Sequence, residues 1–260
     1  MSTMNFEKKL IAIANKYPEK MIEDHLLDIK RTNYHINLAI NSCKNKNINE
    51  LEICDLGGGL SPFSIGCASL EFKRSIVVDD FDDSNNHVVG NEPKNFLKEH
   101  GVEIFERDIV EKGIEDIEGN FDIITSFDSM EHWHNSPKKL FHQVMSKLKN
   151  DGTFILGVPN CANLRKRITI PMGFGKWSSM HSWYEEVKFR GHVREPDVSD
   201  LNYIAKDMGL KKTKIYGRNW LGYNNPSELV KILTIIVAPI LNNFPSLCSD
   251  IYLVGKKNKL

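Results

Sequence analysis

The amino-acid sequence predicts an α/β fold in which helices cover a doubly wound, mainly parallel sheet. Two observations support this prediction. Short apolar segments alternate with helical segments along most of the 260-residue chain, and strands separated by helices imply parallel βαβ units. In addition, a glycine-rich turn at Gly57–Gly59 lies between the first apolar segment and a helix start. Such a turn, at the end of a strand, is typical of nucleotide-binding α/β proteins.

The N-terminal segment, residues 1–48, is predicted to be helical and to precede the sheet. Apolar residues recur at helical spacing from about Met4 to Ser42. Pro18 interrupts this pattern and divides the segment into two predicted helices. We expect these helices to form a cap over one edge of the site near the glycine turn.

Strands and helices then alternate up to the C-terminus. The predicted strands are Glu52–Leu56, Arg74–Asp79, Val102–Arg107, Phe121–Ser126, Thr153–Val158, Lys212–Tyr216 and Ile251–Gly255. The predicted helices are Pro62–Leu70, Pro93–His100, Pro137–Lys149, Val198–Met208 and Pro226–Leu241. The segment 160–194 lacks clear periodicity and indicates an insertion that caps the substrate. No internal repeat or low-complexity linker occurs, so we expect one domain over residues 1–260.

Composition excludes several classes of partner. The net charge is zero, which gives no electrostatic attraction to nucleic acid or to anionic membranes. Five scattered cysteines without a C-x-x-C pair indicate reduced thiols in a cytoplasmic protein and no metal site. The apolar run Ile232–Leu241 is too short to span a bilayer. We expect it to be buried or to face substrate, with contact to a membrane surface as the alternative.

The glycine turn indicates the kind of cofactor. Three glycines allow the backbone to approach a ligand closely, and the helix start at Ser61–Pro62 offers unpaired amide groups. Pro62 occupies the position of the third glycine of the dinucleotide fingerprint, which disfavours a pyrophosphate. Asp55 would repel a phosphate but could hold an ammonium group. The turn therefore favours a cofactor with adenosine and an amino acid, such as S-adenosylmethionine, with a dehydrogenase loop or a structural turn as alternatives.

The motifs that follow the turn resemble those of class I S-adenosylmethionine-dependent methyltransferases. Asp79 closes the second strand and Asp108 the third. The fourth strand and its loop read FDIITSFDSMEHW from Phe121 to Trp133, and LKNDGTFI from Leu148 resembles the family's Leu-Lys-Pro-Gly-Gly turn, with Asn-Asp in place of Pro-Gly. The resemblance covers residues 51–160 in the family's order and spacing. It implies a Rossmann-like, seven-stranded sheet.

The resemblance also assigns roles to individual residues. The acidic pair Asp79 and Asp80 would bind the ribose hydroxyls, although a solvated acidic turn is the alternative for this position. Asp108 would accept from the adenine amino group, or else cap a helix. The cofactor-binding set implied in this way comprises Asp55, Gly57, Gly58, Gly59, Asp79, Asp80, Asp108, Ile109, Phe127 and Asp128.

Missing motifs narrow the acceptor to an oxygen atom. The chain has neither the Asn/Asp-Pro-Pro-aromatic motif of amino-directed enzymes nor the Pro-Cys nucleophile of cytosine-C5 enzymes. An alcohol acceptor benefits from a base such as histidine. A phosphate-type oxygen needs only a cationic pocket.

Three residues are predicted to be catalytic, and three more to bind substrate. His132 ends the cofactor loop. His192 and Arg194 stand two apart in an extended segment, and this spacing directs both to one side. A solvated or capping histidine is the alternative. His181, Tyr184 and Arg165 are the predicted substrate-binding residues. Arg165 begins a basic run that suits a phosphate, with a solvated helix face as the alternative.

We therefore expect an S-adenosylmethionine-dependent O-methyltransferase of the cytoplasm that acts on a small-molecule acceptor. The resemblance is strongest to methyltransferases of bacterial surface-polysaccharide gene clusters, which implies a sugar, nucleotide-activated or phosphoramidate intermediate, with phosphorylation of the acceptor as one hypothesis. One alternative is a quinone- or lipid-type enzyme that uses the helix Leu229–Leu241 as a hydrophobic wall. Another is a non-catalytic cofactor-binding subunit. Neither nucleic-acid binding nor stable membrane insertion is expected.

Overall fold

A seven-stranded sheet lies at the centre of the chain in a computed structural model, which describes residues 4–82, 90–175, 178–185, 187 and 189–258. The strands are β1 Glu52–Leu56, β2 Arg74–Asp79, β3 Val102–Glu106, β4 Phe121–Phe127, β5 Leu148–Pro159, β6 Lys211–Arg218 and β7 Asp250–Lys256. Their order is β3-β2-β1-β4-β5-β7-β6. Strand β7 runs antiparallel to both neighbours, and the other pairs are parallel. The predicted fold class and the seven predicted strands are confirmed.

Helices lie against both faces of this sheet. They are α1 Glu7–Ala14, α2 Glu19–Leu27, α3 Ile29–Ser42, α4 Pro62–Ser69, α5 Glu92–Glu99, α6 Ile109–Lys112, α7 Lys138–Lys147, α8 Leu164–Thr169, α9 Met180–Glu185, α10 Val198–Asp207, α11 Trp220–Tyr223 and α12 Glu228–Leu241. One apolar cluster joins the sheet to α1, α3 and α4. A second cluster joins it to α7 and α10. Because strand order reverses between β1 and β4, the carboxyl ends of these two strands flank the crevice in which such sheets bind ligands.

The N-terminal segment contains three helices where the sequence predicted two. Pro18 precedes α2 as predicted, but a second break occurs at Asp28, the single residue between α2 and α3. The apolar spacing continues across Asp28, so the pattern does not reveal this break. Helix α2 buries no residue, whereas α3 buries eight.

The N-terminal helices reach the cofactor side of the sheet through a close contact at Gly66 of α4. A Cβ atom at Gly66 would lie 2.8 Å from Ile36 and 2.9 Å from Leu10. The absence of a side chain thus allows α1 and α3 to approach α4, the helix that follows the glycine turn. This packing places α3 beside the ends of β1 and β4.

Helix α12 is exposed, which corrects the expectation of a buried helix. Leu229, Ile236 and Ile240 are 66%, 64% and 65% exposed, and only Ala238 of this helix is buried. The prediction failed because apolar composition alone does not show whether a neighbouring surface exists. No helix within the described residues is long and apolar enough to cross a membrane.

Candidate active site

The glycine turn has a backbone that side chains would obstruct. Gly57 and Gly59 have φ angles of 69° and 53°, in the left-handed region that favours glycine. A Cβ atom at Gly57 would lie 1.8 Å from the Oγ atom of Ser129, and one at Gly58 would lie 1.9 Å from a carboxylate oxygen of Asp55. The turn therefore presents bare backbone at the carboxyl end of β1, between that strand and the loop after β4.

Asp55 lies beneath the turn and not on an open surface. Its side chain is buried, and its two oxygens accept hydrogen bonds from Thr125 at 2.7 Å and from Ser64 at 3.4 Å. Burial raises the pKa of Asp55 to about 7, and the nearby charge of Asp79 adds to this rise. The backbone of Gly58 lies over the Asp55 carboxyl group. The predicted interaction of Asp55 with an ammonium group would therefore be electrostatic, through the Gly58 backbone, and not a direct hydrogen bond.

Asp55→Asn removes this titration and should change how stability depends on pH. Between about pH 4 and 7 the folded chain keeps a proton on Asp55 that the unfolded chain has lost, so ionisation lowers stability as pH rises. From pH 5 to 7.5, we expect the unfolding free energy of Asp55→Asn relative to wild type to increase by about 3 kcal/mol. Urea unfolding at the two pH values measures this difference.

Asp116→Asn is the control for the Asp55 experiment. Asp116 is exposed, and the Arg107 side chain lowers its pKa. Above pH 5 the Asp116 carboxyl group is ionised in both the folded and the unfolded chain. The unfolding free energy of Asp116→Asn relative to wild type should therefore stay constant between pH 5 and 7.5. An equally flat result for Asp55→Asn would contradict the raised pKa of Asp55.

The predicted ribose-binding pair lies at the end of β2, beside the turn. Asp79 accepts hydrogen bonds from the amides of Gly59 at 3.0 Å and of Phe81 at 2.6 Å. The predicted contact of Asp79 with the ribose hydroxyls remains a prediction. Asp80 instead lies 3.6 Å from the guanidinium group of Arg190. Of the pair, Asp79 is therefore the one whose side chain contacts the glycine turn.

Asp108 and Ile109 lie at the end of β3. One oxygen of Asp108 accepts from the amides of Val110 and Glu111, so this exposed side chain caps α6. The cap is the alternative that the sequence left open, and the adenine contact remains a prediction. Ile109 is buried, and its side chain would lie 3.6 Å from a Cβ at Gly57. Ile109 therefore lies close to the turn, and its contact with the cofactor remains a prediction.

Phe127 and Asp128 contact the N-terminal helices, and their contact with the cofactor remains a prediction. The Phe127 ring is stacked on His35 of α3, with centroids 3.9 Å apart. Asp128 has a φ angle of 50° and forms an ion pair with Arg31 of α3. Ser129 is the residue of this loop that reaches Gly57. Phe127 and Asp128 therefore position the loop, and Ser129 touches the turn.

A charged cluster that the sequence analysis missed anchors this loop. Arg31 contacts Asp128 and also lies 3.7 Å from Asp250 of β7. Burial raises the pKa of Asp250 although Arg31 opposes the rise, and the acids together raise the pKa of Arg31 against its own burial. The sequence carries little signal of this cluster, because the buried residues of α3 also include the polar Thr32, Asn33, His35 and Asn37.

His132 and His192 meet beside this loop. Their ring centroids are 4.9 Å apart with the planes at 85°. The Nδ1 atom of His132 donates to the carbonyl oxygen of Arg190 at 2.7 Å, and Nδ1 of His192 donates to Glu195 at 2.8 Å. In a neutral imidazole the other ring nitrogen, Nε2, then carries a lone pair. The two predicted histidines are thus brought together, each with Nε2 as its acceptor nitrogen.

Two further contacts hold the segment that carries His192. The carbonyl oxygen of Glu131 accepts from the amides of Val193 at 2.7 Å and of Arg194 at 3.2 Å. Burial raises the pKa of Glu195, but hydrogen bonds from His192 and Lys166 outweigh this effect and lower it to about 2. Glu195 is therefore an ionised partner for His192 near neutral pH. Glu131 and Glu195 were not predicted as site residues.

The other predicted residues are exposed on the surface of the protein. Arg194 is 78% exposed in its side chain and is 3.6 Å from Asp200, so the expected pairing with His192 on one side is not observed. The amides of Val193 and Arg194 both donate to the carbonyl oxygen of Glu131. This shared acceptor bends the chain after His192, so its side chains do not alternate as they would in an extended strand. His181 and Tyr184 are exposed on α9, and Arg165 is exposed on α8.

The basic run is largely engaged within the fold. Lys166 forms an ion pair with Glu195. Arg167 donates to the carbonyl oxygens of Ala162 at 2.6 Å and Ser246 at 3.1 Å. Arg165 and Arg167 are both exposed, but Arg167 is bound to backbone carbonyl oxygens, so the run provides less free positive charge than the sequence suggested.

The fold and the glycine turn define an α/β protein that binds a nucleoside-containing cofactor. A protein-family model described as a methyltransferase domain matches residues 29–215, which is more than half of the chain. The chain therefore belongs to this methyltransferase family. This membership confirms the predictions of a methyltransferase and of S-adenosylmethionine as its cofactor. No curated protein sequence matches the chain.

Solved structures with similar folds include several methyltransferases. A possible histamine N-methyltransferase of Thermotoga maritima is 13% identical with a TM-score of 0.54, covering 96% of this chain and 100% of the other. Phosphoethanolamine N-methyltransferase 2 of Haemonchus contortus, in complex with S-adenosylmethionine, is 18% identical with a TM-score of 0.54, covering 87% and 53%. The plantazolicin methyltransferase BpumL, in complex with S-adenosylhomocysteine, is 18% identical with a TM-score of 0.53, covering 98% and 96%. These likenesses establish the fold.

The residues around the turn fit S-adenosylmethionine. Because residues 57 and 58 are glycines, Ser129 and Asp55 can lie where Cβ atoms would otherwise be, and the backbone of the turn stays uncovered by side chains. Asp79 lies beside the turn, and the buried Asp55 lies below it as a carboxyl group with a pKa of about 7. These are the groups that a cationic amino acid joined to a ribose requires.

Proposed function

We propose that this chain transfers a methyl group from S-adenosylmethionine to a hydroxyl oxygen of a small molecule. The observation that carries the proposal is the pair His132 and His192, whose Nε2 atoms are acceptors beside the loop that touches the glycine turn. A hydroxyl group must lose its proton as its oxygen forms a new bond, and an imidazole of near-neutral pKa suits that task.

The residues of the chain have distinct tasks in this reaction. When bound, S-adenosylmethionine supplies a methyl group whose bond to sulfur breaks with its electron pair remaining on sulfur. The turn Gly57–Gly59 and Asp79 hold and orient the nucleoside end. Nε2 of His132 receives the acceptor's proton, since His132 lies three residues after Ser129 on the same loop. The carbonyl oxygen of Arg190 fixes the His132 ring for this role.

The charges around the site favour an acceptor without a phosphate group. The nearby cations are already paired with carboxylates: Arg31 with Asp128, Lys166 with Glu195, and Arg190 with Asp82. A phosphate would have to displace one of these partners. The resemblance to polysaccharide-cluster enzymes supports a sugar without phosphate, held by its hydroxyl groups, as the first acceptor class to test.

His132→Asn tests the assignment of the base. We expect kcat to fall by about 10²–10⁴-fold, while the Kd for S-adenosylmethionine stays within about twofold, because Asn keeps a donor toward Arg190 but cannot take the proton. Product S-adenosylhomocysteine is measured over a panel of sugars, nucleotide sugars and phosphorylated compounds, and the cofactor Kd by calorimetry.

His142→Asn is the matched control for this substitution. His142 is an exposed histidine of α7 that contacts Asp207, so its replacement should leave kcat unchanged. Wild-type kcat in His132→Asn would refute the base assignment. Cofactor binding by the wild-type protein without transfer to any hydroxyl of the panel would refute the proposed function and favour a non-catalytic subunit.

A lipid- or quinone-type acceptor is a second candidate, and the exposed helix α12 is the observation that favours it. Six of its apolar residues are more than half exposed, namely Leu229, Ile232, Leu233, Ile235, Ile236 and Ile240. Co-sedimentation with neutral liposomes would support this candidate if Ile236→Asp abolished it. Absence of co-sedimentation by the wild-type protein would count against it.

A further inference from the structure

We propose that Glu131, His132 and His192 bind a divalent transition-metal cation. One ligand atom from each of the three residues lies within 4.8 Å of the others. Two imidazoles and one carboxylate are a common ligand set for Zn²⁺, Mn²⁺ and Fe²⁺. The site belongs to two segments, since Glu131 and His132 follow β4 whereas His192 precedes α10.

The carboxylate of Glu131 is the strongest indication of a missing ligand. Glu131 is 1% exposed, and its Oε2 atom has no hydrogen-bond partner among the residues that the structure describes. A buried carboxylate oxygen without a partner is costly. A cation at the centre of the three residues would satisfy it.

The histidines are held in the orientation that metal binding needs. Metal-ligating histidines usually donate their other ring N–H to a carbonyl or a carboxylate. Nδ1 of His132 donates to the Arg190 carbonyl oxygen and Nδ1 of His192 donates to Glu195. Both partners therefore fix the tautomer in which Nε2 is the ligand atom. Glu195 is itself held by Lys166.

The ligand set also limits the choice of metal. Imidazole nitrogen favours first-row transition metals, whereas Mg²⁺ and Ca²⁺ are bound mainly by oxygen. Three protein ligands leave at least one coordination position open. This next step rests on the proposed function. The acceptor's hydroxyl oxygen would bind at the open position, and the cation would lower the pKa of that hydroxyl group, so that its proton leaves to solvent. In the metal-loaded protein the cation thus replaces the histidine base.

The sequence indicated no metal site because the three ligands are not closely spaced along the chain. Glu131 and His132 are adjacent, but His192 follows 60 residues later. The contact of the Glu131 carbonyl oxygen with the amides of Val193 and Arg194 brings these distant segments together.

Metal binding is tested on the full-length protein without any acceptor. After dialysis against a chelator, the protein is titrated with Co²⁺ and with Zn²⁺, and bound metal is measured by calorimetry and elemental analysis. We expect one cation per chain and visible Co²⁺ absorption bands. Glu131→Gln and His192→Ala should each weaken binding by on the order of 100-fold or more, and Glu195→Ala by about 10–100-fold.

His142→Ala is the matched control. His142 contacts the carboxylate of Asp207 in an exposed pair. Among the described residues, this pair is not part of a cluster of three possible metal ligands. The His142→Ala variant should bind Co²⁺ as wild type does. Unchanged affinity for S-adenosylmethionine shows that each variant is folded. Wild-type protein that binds no more Co²⁺ than Glu131→Gln would overturn the site.

Activity then separates this inference from the proposed function. Loss of methyl transfer after chelation, with recovery on adding Zn²⁺ or Mn²⁺, supports the metal site and methyl transfer to a hydroxyl, with His132 acting as a metal ligand and not as the base. One bound cation without transfer to any hydroxyl supports the metal site and refutes the proposed function. Full activity of chelated protein that binds no Co²⁺ supports the proposed function and refutes the metal site.

Discussion

Gly57→Ala is expected to abolish measurable binding of S-adenosylmethionine. The new Cβ atom would lie 1.8 Å from Oγ and 2.7 Å from Cβ of Ser129, at a φ angle of 69°. The loop after β4 would have to move away, and the turn would lose the shape that holds the cofactor. We expect the Kd to rise by about 100-fold or more, equivalent to about 3 kcal/mol, measured by calorimetry on variants whose folding is checked by circular dichroism.

Gly209→Ala separates backbone strain from the steric collision. Gly209 has a φ angle of 71°, nearly that of Gly57, but no atom lies within 4 Å of its Cβ position. This control should lose about 1 kcal/mol of stability and keep wild-type cofactor affinity. Adding Ser129→Gly to Gly57→Ala removes the colliding atoms and should recover part of the affinity. Tight binding by Gly57→Ala alone would show that the turn does not hold the cofactor.

Arg31→Met is expected to destabilise the fold by about 3–5 kcal/mol. The substitution leaves the buried carboxylate of Asp250 and the partly buried carboxylate of Asp128 without their cation. Burial already raises the pKa of both acids, so the variant should take up protons on them at low pH. The loss of stability should therefore be larger at pH 8 than at pH 5, as measured by urea unfolding.

Arg74→Met is the control for Arg31→Met, because it removes an arginine from a more exposed pair. Arg74 contacts Glu103 at 2.7 Å, and the Glu103 side chain is 47% exposed. Such pairs contribute about 1 kcal/mol or less. If Arg31→Met lost no more stability than this control, or lost the same amount at both pH values, the buried cluster would have no special role.

The sequence was sufficient for the strands and for the turn, because these depend on local patterns. Apolar segments between turn residues predict β1 to β7. The run of glycines predicts a turn with left-handed backbone, which Gly57 and Gly59 adopt. The break at Asp28 and the exposure of α12 depend on what packs against each helix. Those contacts involve residues far apart in the chain, and periodicity carries no information about them.

In the candidate site, too, local patterns were predictable from the sequence, whereas contacts between distant residues were not. Asp55, Asp79 and Ile109 were found because each ends or follows a strand next to the turn. Arg194 was misplaced because the alternation of an extended segment was assumed where the Glu131 carbonyl oxygen bends the chain. Arg31 was missed because its partners, Asp128 and Asp250, lie 97 and 219 residues later in the sequence. An ion pair of that separation leaves no local pattern.

The distance between Arg31 and Asp250 along the chain also affects the order in which contacts form during folding. Strand β7 inserts between β5 and β6 although it follows both in the sequence, so the charge of Arg31 is balanced on that side only after β7 has been synthesised. Contacts between such distant residues form slowly in folding. The loop that touches the glycine turn is thus fully secured only when β7 is in place, and cofactor binding depends on this late contact.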